Sequence, residues 1–195
     1  MKKLLLLGIG CAISASAMAQ TEKGSKFIGV SIGNIGYQKD NYFSSIGADL
    51  NPSAGVFVTD NLLLGSGLQV GYRRTKSNGN SSNYTNRTIS YGISPFARYY
   101  FSGAATHRFF GQVSGGVARY NQRRESDDYV SPGGVSRDNS TYFTYGGALG
   151  YNYFLTPGAA LEVTAGYNRF GFDERSTNGS FNIQAGVAVF LPSKL

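Results

Sequence analysis

The sequence contains no tryptophan, one histidine, one cysteine and five prolines among its 195 residues. A single cysteine excludes a disulfide-stapled scaffold and a zinc site built from several cysteines. Only 15% of the residues are charged, well below the roughly 25% that is usual for soluble domains. Beyond the first twenty residues, no stretch reaches the ~18 consecutive apolar residues of a membrane-spanning helix. A disulfide scaffold and a helical membrane protein are therefore both excluded.

Glycine and aromatic residues are abundant instead. The chain holds 27 glycines, 14 tyrosines and 13 phenylalanines, and its glycine fraction is about twice the ordinary usage. The aromatic content is too high for a disordered chain, and the glycines follow no Gly-X-Y period of collagen. The mean hydropathy of −0.20 is that of a soluble protein. This mean combines the many apolar and aromatic residues with an equally large set of small and polar ones.

The first nineteen residues have the pattern of a secretory signal peptide. Lys2 and Lys3 precede a leucine-rich core, and the segment ends on Ala17-Met18-Ala19, an A-x-A cleavage site. We therefore expect residues 1–19, with Cys11, to be removed and residues 20–195 to form one exported domain. A membrane-anchoring helix and a lipoprotein acylated at Cys11 are the alternatives.

The remaining chain alternates in character with a period of two, as strands with two unlike faces do. Between Ile46 and Val58, between Ile89 and Phe101, and between Phe181 and Phe190, apolar or aromatic residues alternate with small, polar or charged ones. Eight such segments occur, at 26–37, 43–58, 62–74, 87–101, 108–120, 141–154, 159–170 and 180–190.

The connections between these segments alternate as well. Those at 59–61, 102–107 and 155–158 are short, whereas 38–42, 75–86, 121–140 and 171–179 are mostly longer and polar. An even number of alternating segments, with short turns at one end and longer loops at the other, is typical of membrane barrels. The pattern predicts an all-β fold, an eight-stranded antiparallel up-and-down transmembrane β-barrel. Its termini would lie in the periplasm, and 121–140 would be its largest external loop.

A soluble β-sandwich or lipocalin-like barrel would also alternate. However, its core would have to hold many tyrosines, while the opposite face is crowded with glycine, which suits a narrow barrel interior. Tyrosines near strand ends suit the two membrane interfaces. We expect one girdle of Tyr99, Phe101, Phe109 and Tyr153, and an outer one of Tyr72, Tyr145 and Tyr167.

Two prolines, Pro52 and Pro95, fall inside predicted strands. Because a proline cannot donate to the ladder and a closed barrel has no edge strand to receive it, we expect a bulge at each.

The stretch from Leu50 to Asn61, followed by Leu62-Leu63-Leu64-Gly65, resembles the second hairpin of small outer-membrane β-barrel proteins of the porin-like, OmpA/OmpX type. Segments 93–101 and 153–157 resemble the strand ends before their next two turns. The likeness spans the whole mature chain and lies in the order and spacing of the motifs. It implies an eight-stranded outer-membrane protein and no particular reaction. Such proteins usually end on an aromatic residue, whereas here five residues follow Phe190.

Four charged residues, Asp49, Arg73, Arg98 and Glu162, occupy the face predicted to line the lumen. Enclosed charges must pair, because an unpaired buried charge is very costly. The sequence leaves open which acid pairs with which base. It also leaves open whether these charges form a structural plug, which the narrow interior favours, or line a selective, gated pore.

Catalytic and metal-binding motifs are scarce. The only histidine, His107, falls in a predicted short periplasmic turn beside Arg108 without an evident acidic partner. A barrel hydrolase needs a histidine paired with a serine or an acid near the outer face. We therefore predict no catalytic site, no metal site and no cofactor.

Basic residues are frequent on the predicted outer loops and strand ends. Arginine binds phosphate with two hydrogen bonds, so Arg87, Arg119 and Arg169 are candidate contacts for lipopolysaccharide, the alternative being a solvated rim. The expected partners are outer-membrane lipid and the barrel insertion machinery, with the protein a monomer. Nucleic acid is not expected, because the basic residues are dispersed.

Three functions follow in order of preference. The first is a structural or surface-interaction protein of the outer membrane, serving envelope integrity or adhesion through its external loops. The second is a narrow porin-like channel lined by the four lumen charges. The third is a soluble periplasmic ligand-binding barrel.

Overall fold

The computed structural model describes residues 21–78, 83–101, 106–127, 132–173 and 176–193, so the predicted signal peptide and Cys11 lie outside the described residues. Eight antiparallel strands follow one another around a closed barrel, and β1 also pairs with β8. The predicted eight-stranded up-and-down barrel is confirmed. The strands are β1 (Lys26–Lys39), β2 (Phe43–Thr59), β3 (Leu62–Asn78), β4 (Asn83–Tyr100), β5 (His107–Asp127), β6 (Pro132–Thr156), β7 (Ala159–Asp173) and β8 (Ser176–Leu191).

The barrel has two unlike ends. The turn end carries the β2–β3, β4–β5 and β6–β7 connections together with the start of β1 and the end of β8, and the loop end carries the other connections. Residues 75–86, 121–140 and 171–179 belong mostly to strands rather than to loops, contrary to the sequence prediction. The β5–β6 hairpin pairs continuously from His107–Tyr153 to Ser126–Gly134. Backbone ladders do not depend on apolar side chains, so polar segments extend the sheet once a neighbouring strand lies beside them.

The expected bulges at the two prolines are absent. Val30 lies opposite Pro52 and Ser66 opposite Pro95, and the register is unchanged on both sides of each proline. Pairing with the strand on the other side is skipped for two residues and then resumes in phase. Each proline, which has no backbone N–H to donate, therefore interrupts the pairing with one neighbouring strand and inserts no extra residue into its own strand. The register shift inside β1 lies instead between Gly33 and Gly36.

Burial in this barrel is the reverse of that in a soluble domain. Among the described residues, 35 large hydrophobic side chains are exposed and 11 hydrophobic residues are buried. The exposed set is the outward face predicted from the alternation, including the tyrosines of both predicted girdles. No helix in the described ranges is long and apolar enough to cross a membrane.

The interior of the turn end is filled by large aromatic side chains. This aromatic plug consists of inward-facing residues near the turn ends of the strands: Phe27, Phe57, Leu63, Tyr100, Phe110, Phe154 and Phe190. Ring centroids lie 5.0 to 6.3 Å apart around Phe190. The expectation that glycine and small polar residues line the interior holds only for the part nearer the loop end. At the turn end, a β-carbon on Gly150 would collide with the Phe110 ring, so this glycine makes room for an aromatic neighbour.

A short segment before β1 lies beneath the plug. The Gly24 N–H donates to the Phe57 carbonyl over 2.8 Å, and the Asn61 N–H donates to the Thr21 carbonyl over 2.8 Å. The Arg108 guanidinium donates to the Thr21 hydroxyl oxygen over 2.6 Å and to the Asn61 amide oxygen over 3.3 Å. Thr21 is buried by these contacts. The turn end is therefore closed by two layers, one aromatic and one polar.

Candidate functional site: the lumen and the loop-end rim

A buried ion pair crosses the lumen directly above the aromatic plug. The guanidinium of Arg98 on β4 donates to both carboxylate oxygens of Glu162 on β7, over 2.7 and 3.1 Å. Their side chains are only 5% and 10% exposed. Both residues face inward because each lies two positions from a buried residue of its own strand, Tyr100 on β4 and Ala160 on β7. The two hydrogen bonds are parallel and charge-assisted, the strongest arrangement for this pair of groups.

Arg98 is held on every side. It donates to the Gln112 side-chain oxygen over 2.9 Å and to the Tyr100 hydroxyl over 3.1 Å. Its guanidinium carbon also lies 3.9 Å from the centroid of the Phe110 ring and 4.9 Å from that of Phe27. Contacts to aromatic faces further stabilise a desolvated guanidinium. The ion pair is a fixed element joining opposite walls of the barrel.

A polar cavity of about 280 Å³ lies on the loop side of this pair. Among the residues that the structure describes, Arg98 and Glu162 are the only charged ones lining it, and they neutralise each other. The other lining groups are mainly uncharged amides and hydroxyls that can both donate and accept hydrogen bonds. They include Ser31, Asn34, Asn51, Ser53, Gln69, Ser94, Gln112, Ser114, Tyr142, Thr144, Thr164, Asn168, Ser180, Asn182 and Gln184.

The other two predicted lumen charges lie apart from this pair. Asp49 accepts a hydrogen bond from the Asn34 side-chain nitrogen over 2.5 Å. Arg73 faces inward but is exposed at the loop end, opposite Gly47 and Thr88 on the neighbouring strands. Of the pairings that the sequence left open, the structure forms neither Asp49–Arg98 nor Glu162–Arg73 and joins Arg98 to Glu162.

The predicted rim arginines all point outward. Arg87 shares Glu125 with Arg123, at distances of 3.1 and 3.0 Å, and these side chains are 34% to 49% exposed. Arg119 is exposed and donates to the Asn139 side-chain oxygen over 2.9 Å. Arg169 is exposed, opposite Tyr145 and Gly179.

These arginines lie at equivalent places on their strands, directly beyond the last exposed apolar residue on the side of the loop end. On four strands, the outward-facing series runs through apolar residues and then reaches an arginine at its next outward position. The successions are Tyr72 to Arg74, Ile89 to Arg87, Val117 to Arg119 and Tyr167 to Arg169. We call Arg74, Arg87, Arg119 and Arg169 the basic girdle.

A second feature crosses the girdle on the outer wall. Arg74 lies opposite Arg87, Arg87 opposite Arg123, and Arg123 opposite Arg137, so four adjacent strands present a row of arginines. Like charges directly opposite each other destabilise a sheet. Glu125 offsets part of this repulsion by pairing with Arg87 and Arg123. The four arginines outnumber this one carboxylate, so the row carries a net positive charge on the outer wall at the loop end.

His107 is the first residue of β5, not a turn residue as predicted. It is exposed; its ring stacks on Tyr151, is tilted against Tyr153, and its Nδ1 hydrogen-bonds the Tyr151 hydroxyl. Its neighbours are outward-facing tyrosines, with no carboxylate or serine hydroxyl among these contacts. Within the described ranges, no three histidine, cysteine, aspartate or glutamate side chains come together as a metal site would require.

The fold matches that of outer-membrane β-barrel proteins. The chain is similar to a major outer-membrane protein of Thermus thermophilus, with a TM-score of 0.55 and 14% identity, covering 86% of this chain and 99% of that one. It is also similar to neisserial surface protein A (TM-score 0.47, 19% identity, 86% and 99% coverage). A third match is the N-terminal barrel domain of Pseudomonas aeruginosa OprF (TM-score 0.41, 17% identity, 87% and 98% coverage). No protein-family model matches the chain, and no curated protein matches it.

Sequence reasoning identified the lumen charges but missed the aromatic plug. Its signal was present, because most strands carry a phenylalanine, tyrosine or leucine on the inward face at the turn end. It was obscured because these residues alternate with equally aromatic outward neighbours such as Tyr99, Phe101 and Phe109.

Proposed function

We propose that this protein is an integral outer-membrane barrel that acts as a structural and surface-interaction protein rather than as an enzyme. The observation that carries the proposal is the belt of exposed apolar side chains around a polar interior. Monomeric soluble proteins rarely expose apolar patches beyond a few hundred Å², and this belt encircles the barrel. A soluble periplasmic barrel is therefore disfavoured.

The belt has the height that a membrane requires. On β3 its outward face runs from Leu62 to Tyr72, a rise of about 33 Å along the strand. With the ~40° tilt usual for membrane barrels, this corresponds to about 25 Å along the barrel axis, the usual height of the apolar band. The basic girdle begins directly beyond it, where lipid headgroups would lie.

We infer that the loop end faces outward and that the basic girdle contacts phosphate groups of lipopolysaccharide in the outer leaflet. Arg87, Arg119 and Arg169 supply this contact, because guanidinium groups bind phosphate with paired hydrogen bonds. The β5–β6 hairpin and the arginine row then present a cationic surface for envelope integrity or adhesion. Lipid and the insertion machinery are the partners, and the protein acts as a monomer.

A narrow channel is the second candidate, favoured by the polar cavity above Arg98 and Glu162. The two layers that close the turn end argue against it, since a solute crossing the barrel would have to displace the plug. An eight-stranded barrel is just wide enough for side chains to fill. We therefore assign the lumen charges a structural role.

The lipid contact can be tested with matched triple variants. R87Q/R119Q/R169Q removes three girdle charges, whereas K26Q/R73Q/R124Q removes three charges from the turn end and from inward-facing positions. We expect the first variant to bind lipid A–containing vesicles markedly more weakly and the second to bind like the wild type. Both should keep the gel shift between unboiled and boiled samples that a folded barrel gives. Equal binding by the two variants would refute the girdle as the lipid contact.

A further inference from the structure

The ladder between β1 and β8 stops halfway up the barrel. It runs from Lys26–Leu191 to Gly33–Gln184, yet β1 continues to Lys39 and β8 begins at Ser176. Among the described residues, no pair joins the two strands beyond Gly33–Gln184, whereas both strands remain paired to their other neighbours, β2 and β7. We call this stretch, residues 34–39 facing 176–183, the seam.

The cause lies in β1. The register with β2 shifts by one residue between Gly33 and Gly36, and Asn34 in this bulge has a φ of 50°. A bulge bends its strand and increases the local twist. Above Gly33, β1 therefore follows β2 and leaves β8 without a partner on that side.

The exposures along β1 agree with an opening between the two strands. Ile35 and Tyr37 on β1 are 75% and 72% exposed, whereas Val30 and Ile32 below them are 38% and 48% exposed. Every residue of β1 from Asn34 onward is exposed, whichever face it belongs to. This exposure of residues on both faces is expected where a strand has no neighbouring strand on one side.

The seam joins two chemically different surfaces. Its outer lips are apolar, with Ile35 on β1 and Phe181 and Ile183 on β8, the latter two 65% and 60% exposed. Its inner side is part of the polar cavity, because Asn34, Asn182 and Gln184 line that cavity. The seam therefore lies where the outer leaflet of the membrane and the lumen would meet.

We propose that the seam is a lateral entrance through which a single-chain amphiphile binds, with its uncharged hydroxyl-bearing headgroup in the cavity and its acyl chain between the apolar lips. The inference rests on the proposed membrane placement. A neutral headgroup fits because the cavity offers amides and hydroxyls, while its one cation and one anion are already paired. The cavity volume of about 280 Å³ holds a glycerol-sized headgroup, and the paired Arg98 and Glu162 leave no free charge in its lining for the phosphate of a phospholipid.

The absence of tryptophan provides a clean reporter. Asn182→Trp places an indole on the cavity wall beside the seam, opposite Gly166 on β7. Ser114→Trp is the matched control, since it also lines the cavity and lies opposite a glycine, Gly146, but on β5 across the barrel. Leu68→Trp faces outward and reports on the membrane itself.

Each single-tryptophan protein is reconstituted in phosphatidylcholine vesicles and titrated with a monoacylglycerol brominated on its acyl chain, since bromine quenches tryptophan only at close range. We expect Asn182→Trp to lose fluorescence saturably, with recovery on adding unbrominated monoacylglycerol, and Ser114→Trp to keep its fluorescence. Brominated phosphatidylcholine should quench Leu68→Trp strongly and Asn182→Trp weakly.

Different outcomes would overturn the membrane placement and the lateral entrance. If Leu68→Trp is not quenched by brominated phosphatidylcholine, the proposed membrane placement is wrong. If Leu68→Trp is quenched but Asn182→Trp responds to monoacylglycerol no more than Ser114→Trp does, the lateral entrance alone is overturned. Should Asn182→Trp fail to give the gel shift of a folded barrel, Ser180→Trp on the same cavity wall takes its place with the same expected outcomes.

Discussion

Replacing Glu162 by glutamine tests whether the buried ion pair stabilises the barrel. The substitution keeps the shape of the side chain and one acceptor, but it leaves the Arg98 guanidinium buried without a counter-charge. Breaking a buried pair from one side typically costs about 3–5 kcal/mol. Because Arg98 keeps its hydrogen bonds to Gln112 and Tyr100, we expect the lower end, about 3 kcal/mol.

The same change at Glu125 is the matched control. Glu125 also contacts arginine, but this carboxylate and its partners are 34% to 49% exposed. Solvent-exposed ion pairs are worth at most about 1 kcal/mol. The expected difference of about 2 kcal/mol corresponds to roughly a 30-fold change in the folding equilibrium constant.

Stability is measured by urea unfolding in phosphatidylcholine vesicles, followed by circular dichroism and by the gel shift of the folded barrel. The paired replacement R98M/E162M should cost less than E162Q alone, because no charge is then left buried. If E162Q and E125Q differ by less than about 0.5 kcal/mol, which is the spread of ordinary surface substitutions, the buried pair does not stabilise the barrel as argued.

Two further predictions follow from the packing of the lumen. A β-carbon on Gly65 would collide with the Ala54 carbonyl oxygen and lie 2.6 Å from the Phe96 ring, whereas the nearest atom to one on Gly67 lies at 3.8 Å. In the same urea assay, G65A should therefore destabilise the barrel by about 1–3 kcal/mol, and G67A should stabilise it by about 0.4–1 kcal/mol. The plugged turn end predicts no stepwise conductance in planar bilayers. Stepwise currents that change on substitution of Asp49 or Glu162 would instead support a channel.

The amino-acid sequence by itself determined the strands of this protein and the faces that they present. The period-two alternation fixes which side chains face outward, because successive strand residues point to opposite faces whatever their partners are. The number of strands, the belt, the inward charges and the outward arginines could therefore be read before any fold was known. Strand ends could not, because the polar segments beyond Arg74 and Tyr120 pair only when a neighbouring strand is beside them.

Only the closure of the sheet into a barrel decided the ion pair, the aromatic plug and the seam. Arg98 and Glu162 are 64 residues apart in sequence and belong to strands that are not neighbours, so only the shear and diameter of the closed sheet bring them together. The aromatic plug needs the same closure, since each ring packs against rings from other strands. The seam is the clearest case: a one-residue shift in β1 separates two strands that the alternation alone would have paired along their full length. Sequence determines the faces of the strands because that property is local, and tertiary structure determines the pairing because that property depends on the whole sheet.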